Sequence, residues 1–205
     1  MAAQIRAARE WCSGAKRMTK TVVRFREQAE FLRESSGSNI EKTLLKAVKV
    51  LALFQIPHYV CGGFAVQEHG YPRSTVDVDI IVPDVVLARE KLCMNGFKEN
   101  AGSKMTVTDR ETMVEVDLLP AGSKLDPGPL TFPVPTEVSD SPQILTLESL
   151  ISSKLSTYVG RGIHRAKDFS DVVELIQANG LPREFPVASE VVDIYQQTWD
   201  ALQNP

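Results

Sequence analysis

The stretch Thr75-Val76-Asp77-Val78-Asp79-Ile80-Ile81-Val82 constrains the fold of this chain more than any other segment. Acid alternates with β-branched residue at the period of a strand, which sets Asp77 and Asp79 on one face while Val76, Val78 and Ile80 pack behind them. The apolar run that follows suits a central strand covered on both sides, and Pro83 closes it.

The neighbouring segments supply partners. Ile40, Leu44, Leu45, Val48, Leu51 and Leu53 recur at helical spacing between Asn39 and Phe54, with Ser38 as a cap and Pro57 beyond the end. Tyr59-Val60-Cys61 reads as a short buried strand that runs into Gly62-Gly63 and a brief helix from Phe64 to His69. Val85 to Asn95 reads as a helix stopped by Gly96. Met105–Thr108 and Met113–Leu119 read as two strands of a hairpin turning at Asp109-Arg110. Six prolines from Pro120 to Pro142 keep any regular structure there short, as a long connection or an irregular edge. Leu147–Tyr158, Lys167–Ala178 and Ala188–Leu202 then follow as helices. The expected class is α+β (α/β): a mixed β-sheet flanked by helices, with a helical C-terminal region. The expected division is a basic helix or arm over 1–37, a core over 38–143 and a helical region over 144–205.

Charge narrows the function classes. A net charge of -3 argues against a generic nucleic-acid coat, which rests on neutralising many phosphates with Lys and Arg. Basic residues crowd the first segment (Arg6, Arg9, Lys16, Arg17, Lys20, Arg24, Arg26), as a solvated helix, a flexible arm, or an RNA-binding or targeting arm would have them. Met18 is an alternative start for the chain. No run reaches the roughly 18 to 20 apolar residues that cross a bilayer, and no secretory h-region is present, so the expected location is cytoplasmic, away from membranes. Cys12, Cys61 and Cys93 are widely spaced and odd in number, and read as reduced thiols. His58, His69 and His164 fall outside any metal-ligand spacing.

The chemistry concentrates around the acidic strand. Two carboxylates on one face repel each other unless a cation lies between them, and a hard divalent ion, Mg²⁺ or Mn²⁺, suits a few carboxylates plus phosphate oxygens. Val114-Glu115-Val116-Asp117-Leu118 alternates again and puts Glu115 and Asp117 on a common face, so three acidic positions converge if the two strands are neighbours. Such a set can hold two metals, one orienting a triphosphate and one activating a hydroxyl. Gly62-Gly63, between strand and helix, leave amides open to a phosphate. Gly-Ser-Lys at Gly102 and at Gly122 lacks the order of a phosphate loop.

Gly62-Gly63, then Arg73-x-Thr75-x-Asp77-x-Asp79-Ile80, then Asp117, resembles the signature of the polymerase-beta-like nucleotidyltransferase superfamily over roughly residues 39 to 120. The resemblance implies the nucleotidyltransferase fold, with Gly62, Gly63, Arg73 and Thr75 binding a nucleoside triphosphate and Asp77, Asp79 and Asp117 binding metal. It makes Asp117 the candidate base. Phe64 departs from the pattern, where a small or hydroxylated residue is common, and so removes one expected phosphate contact.

Leu150-Ile151-Ser152-Ser153-Lys154-Leu155 and Arg165-Ala166-Lys167-Asp168-Phe169-Ser170-Asp171-Val172 resemble later motifs of the abortive-infection (AbiEii-type) subgroup, which includes toxin nucleotidyltransferases. By that resemblance Lys154 and Asp168 assist nucleotide binding and catalysis. The expected reaction is transfer of a nucleoside monophosphate to an acceptor hydroxyl on tRNA, protein or a small molecule. A toxin role and a cognate antitoxin follow from the same resemblance.

Simpler readings stand beside these. Asp77, Asp79 and Asp117 taken singly suit solvent-facing strand positions, Lys154 a solvated helix lysine, and Asp168 a surface acid paired with Arg165 or Lys167. Arg73 suits neutralisation of the acidic face, and Glu115 an alternative third acid of the site or a partner for Arg73. A non-catalytic nucleotide-binding or partner-binding module is the alternative function.

Overall fold

A computed structural model of the chain describes residues 39–203. The basic first segment with Met18, Cys12 and the cap Ser38 lies outside the described residues. The elements are α1 (residues 39–53), β1 (Tyr59–Cys61), α2 (Gly62–Glu68), β2 (Asp77–Val82), α3 (Val85–Met94), β3 (Phe97–Glu99), β4 (Thr106–Asp109), β5 (Glu115–Pro120), α4 (Leu147–Arg161), α5 (Ala166–Asn179) and α6 (Val192–Gln203). Short 3₁₀ turns precede α5 and α6 at Gly162–Arg165 and Ser189–Val191.

The strands form one mixed sheet in the order β1-β2-β5-β4-β3. Only β2 and β5 run parallel, which requires a long crossover; α3, β3 and β4 supply it. The register sets Asp77 beside Glu115 and Asp79 beside Asp117. Across the antiparallel edges, Cys61 pairs with Asp79 and Thr106 with Asp117.

Alternation gives the sheet two different faces. Val60, Val78, Ile80, Val116 and Leu118 point to one side, where they pack with Leu44, Val48 and Leu51 of α1 and with Ala88 and Leu92 of α3. Each such aliphatic side chain removed from water contributes roughly 1.5–3 kcal/mol before conformational entropy is set against it. Cys61 and Ile81 point to the other side and join Leu150, Ile151 and Leu155 of α4, Val172 and Leu175 of α5, and Tyr195 of α6. The C-terminal helices are therefore built directly onto the sheet. Tyr158 and Phe169 stack between α4 and α5 at 4.6 Å.

Local chemistry fixes the ends. Asp84 accepts a hydrogen bond from the Leu87 amide to cap α3, and Thr146 accepts from Ser149 to cap α4. Gly180, left-handed at φ +57°, closes α5. α1 is pinned to the β4–β5 hairpin by Lys46 Nζ on Asp109 Oδ1 at 2.6 Å and by Thr43, whose hydroxyl donates to Asp109 Oδ2.

Several expectations are corrected. The strand begins at Asp77, and Val76 is 81% exposed, since Thr75 folds back onto the Asp77 side chain before pairing starts. Leu45 and Leu53 point outward from α1, because the buried stripe runs Ile40, Leu44, Val48, Leu51. The three-residue β3 is too short to show a period, and it extends the sheet beyond the expected hairpin. Gly62 begins α2 itself. Among the described residues no helix is long and apolar enough to cross a membrane.

Candidate active site

The second face of the sheet carries a row of four side chains, Cys61, Asp79, Asp117 and Thr106, one from each of four adjacent strands. Asp77 and Glu115 form the next row and Ile81 and Leu119 the row on the opposite side. Helices cover the Ile81 end of this face and leave the Asp77 end open. A cleft of about 540 Å³ lies there, lined by Gly62, Gly63, Asp77, Asp79, Asp117 and Lys154 among others. That volume falls within the usual range of small-ligand sites.

Both glycines are required by close packing. A Cβ on Gly62, at φ +62°, would overlap Asp79 Oδ2, and one on Gly63 would lie 2.5 Å from Thr75 Oγ1. The turn thus lets the Asp79 carboxylate lie directly on the backbone. Phe64 points away into the core behind the sheet.

Two hydroxyls hold the flanking acids. Thr75 Oγ1 donates to Asp77 Oδ1 at 2.9 Å, and Thr106 Oγ1 to Asp117 Oδ1 at 2.6 Å. Asp79 has no such relief. Burial, then repulsion from Asp77 and Asp117, push its carboxyl up to about 6 despite the opposing pull of Lys154 and Arg73. Burial and the Asp79 charge likewise push the Cys61 thiol well above its ordinary value. Glu115 stands apart: Asn100 Nδ2 donates to it at 2.7 Å, so it is not a partner of Arg73.

The cations are held by a pair of acids on α5. Lys154 is 7% exposed, which removes the solvated-lysine reading, and its Nζ lies 3.0 Å from Asp168 Oδ1 and 2.7 Å from Asp171 Oδ2. Arg73 Nη1 donates to the same Asp171 oxygen, and Arg165 lies 3.6 Å from Asp168. Asp171, 2% exposed, therefore ties the loop before β2 to α4 and α5. The Arg73 guanidinium is committed to Asp171 and does not bridge the acidic face.

All the residues singled out from the sequence, Gly62, Gly63, Arg73, Thr75, Asp77, Asp79, Asp117, Lys154 and Asp168, line this one cleft. His164, Arg165 and Lys167 form its exposed basic wall. Sequence reasoning missed Asp171 and Thr106. The i, i+3 spacing of Asp168 and Asp171 was the available signal for the first; only the strand register reveals the second.

The donor set fits a hard divalent ion. It consists of carboxylate oxygens, it is short of positive charge at Asp79, and the nearest cations are engaged by Asp168 and Asp171. Among the described residues no three His, Cys, Asp or Glu side chains already surround a single point. Mg²⁺ commonly takes one or two carboxylates and completes its shell with phosphate oxygens and water.

No family model and no curated protein matches the chain. Among solved structures, it is similar to the solution structure of the antibiotic-resistance factor ANT(2'')-Ia, at 14% identity over 78% of this chain and 91% of that one, with a TM-score of 0.46. It is also similar to the crystal structure of ANT(2'')-Ia in complex with adenylyl-2''-tobramycin, at 12% identity over 77% of this chain and 95% of that one, with a TM-score of 0.45. Likeness of that degree leaves function to be read from the chain's own residues.

Proposed function

We propose that the chain is a nucleotidyltransferase that moves a nucleoside monophosphate from a nucleoside triphosphate to an acceptor hydroxyl, with Mg²⁺ or Mn²⁺ as cofactor. The reading rests on one observation: Asp77, Asp79 and Asp117 reach one cleft from two parallel strands, with Asp79 pressed against Gly62.

Asp77, Asp79 and Asp117 would hold the metal, which when bound neutralises phosphate charge and favours the deprotonated acceptor. Lys154 binds the triphosphate in this reading, and Asp168 and Asp171 keep it and Arg73 oriented. The amides of Gly62 and Gly63, with Thr75 behind them, line the phosphate side. Asp117, fixed by Thr106, takes the acceptor proton as the acceptor oxygen bonds to the α-phosphorus. The bond to the β-phosphate breaks, and pyrophosphate leaves with its electron pair. Positioning and charge neutralisation supply most of the rate.

The exposed His164, Arg165 and Lys167 wall supports an anionic or polar acceptor entering from solvent, which suits RNA. The toxin role and its antitoxin rest on the motif resemblance around Lys154 and Asp168 alone.

The test is incubation of the full chain with each α-labelled triphosphate, Mg²⁺ and either total RNA or cell lysate. Label should appear on a product with wild type and vanish with an Asp77→Asn, Asp79→Asn double variant. An equal absence of label in both, across four nucleotides and diverse acceptors, favours the non-catalytic nucleotide-binding module. Mass spectrometry of the labelled product names nucleotide and acceptor together.

A further inference from the structure

The loop that leads into β2 is braced on both sides of Ser74. Before it, the Arg73 guanidinium donates to Asp171 and the Arg73 carbonyl accepts from Gln67 Nε2. After it, Thr75 Oγ1 donates to Asp77 Oδ1 at 2.9 Å. The Ser74 carbonyl itself accepts from Arg73 Nε at 3.5 Å. These contacts fix the backbone at Ser74, while the residue is exposed and lines the mouth of the acidic cleft.

Among the described residues, the hydroxyl side chains lining that cleft are Ser74 and Thr75. Thr75 is 6% exposed and committed to Asp77, so it is withheld from any reaction in the cleft. Ser74 Oγ is engaged by no other described residue. A primary hydroxyl thus stands three positions before Asp77 in the chain, facing the same space as Asp77, Asp79 and Lys154. A hydroxyl tethered in this way competes with any dissolved acceptor, because its translational and rotational freedom has already been given up.

We propose that Ser74 is a self-modification site: the chain transfers a nucleoside monophosphate to its own Ser74 hydroxyl and thereby shuts its own cleft. The inference rests on the nucleotidyltransferase reading. Ser74 Oγ bonds to the α-phosphorus of the triphosphate as the bond from that phosphorus to the β-phosphate oxygen breaks. Pyrophosphate leaves with the electron pair, and the hydroxyl proton passes to Asp117. The product is a phosphodiester anion on Ser74. It lies at the mouth of a cleft that already holds Asp77, Asp79 and Asp117, so it repels the charged tail of a second triphosphate and its bulk obstructs entry. The braces at Arg73 and Thr75 belong to the same chain, which makes the step intramolecular.

The experiment is incubation of the full chain with each nucleoside triphosphate and Mg²⁺ and no other acceptor, with intact mass and peptide mapping before and after. Wild type should gain the mass of a nucleoside monophosphate less water, mapped to Ser74, or already carry it as isolated. Ser74→Ala should lose the adduct tenfold or more and bind inorganic tripolyphosphate within about twofold of wild type by calorimetry. Mapping of wild type decides alone if that variant does not fold. The modified chain should bind tripolyphosphate roughly tenfold more weakly than the unmodified one. Asp77→Asn, Asp79→Asn chains mixed with wild type should stay unmodified, and an adduct on them overturns the intramolecular step. An adduct mapped to another residue, or undiminished in Ser74→Ala, overturns the assignment. Unaltered tripolyphosphate affinity in the modified chain overturns the closure of the cleft. Wild type that stays unmodified yet labels RNA or lysate overturns self-modification and leaves the functional reading standing; wild type that labels nothing overturns both.

Discussion

Gly62 and Asp79 adjoin so closely that a Cβ on Gly62 would overlap Asp79 Oδ2 and sit 2.9 Å from the Asp79 Cβ. Gly62→Ala places a side chain there and at a left-handed φ, costing about 1–2 kcal/mol in backbone strain alone. The carboxylate must then turn away. Thermal melting should fall by a few degrees, and Mg²⁺-dependent nucleotide binding by about tenfold or more. Wild-type binding in Gly62→Ala would contradict the placement of Asp79.

Metal-free protein should become less stable as pH rises through the Asp79 transition. Burial and the Asp77 and Asp117 charges put this carboxyl at about 6 when folded, above its unfolded value near 4. Its stabilising contribution is therefore complete below about pH 4 and lost as pH rises through about 6. The full effect is on the order of 3 kcal/mol. Scanning calorimetry should show metal-free wild type losing stability between about pH 4 and 6.5 relative to Asp79→Asn. Saturating Mg²⁺ with nucleotide should restore it, and a flat profile in both proteins would refute the crowding.

Asp171→Ala should be the most damaging single change among the charged residues. It strips a buried partner from both Lys154 and Arg73, a loss of the kind that costs about 3–5 kcal/mol. Asp168→Ala should cost less, since its second partner Arg165 is half-exposed. Urea denaturation ranks the two, and the reverse order would show that Asp171 is not the junction.

Asp109→Asn separates stability from the site. Burial would raise the Asp109 carboxyl, but the Lys46 ammonium, the Glu111 amide and the Thr43 hydroxyl hold it below its ordinary value. That contribution is present above the unfolded value and lost as pH falls through the depressed folded one. The variant should lose about 1.5–3 kcal/mol at neutral pH with nucleotide affinity unchanged. A changed affinity with full stability would reverse the assignment.

The period-2 alternation around Asp77, Asp79 and Asp117 was legible because strands expose their faces in the sequence itself. So were α1 and the three C-terminal helices, whose apolar spacing repeats over several turns. What pairs with what was not. The salt bridges of Asp171 join Arg73 and Lys154 from positions 98 and 17 residues away, a matter of tertiary packing. Thr106 meets Asp117 through register alone. The docking of the proline-rich segment on α4 turns on Gly128 of the loop and Gly160 inside α4, and neither a loop glycine nor a lone helix glycine names the segment that packs on it.

The parallel union of β2 with β5 has a temporal consequence. Asp79 and Asp117 can become neighbours only after the intervening helix and two strands have been made, and Lys154 and Asp171 lie later still in the chain. Closing such distant partners is entropically slow and cooperative. A chain synthesised only as far as β2 therefore carries Asp77 and Asp79 without the Asp117, Lys154 and Asp171 side chains that complete the cleft.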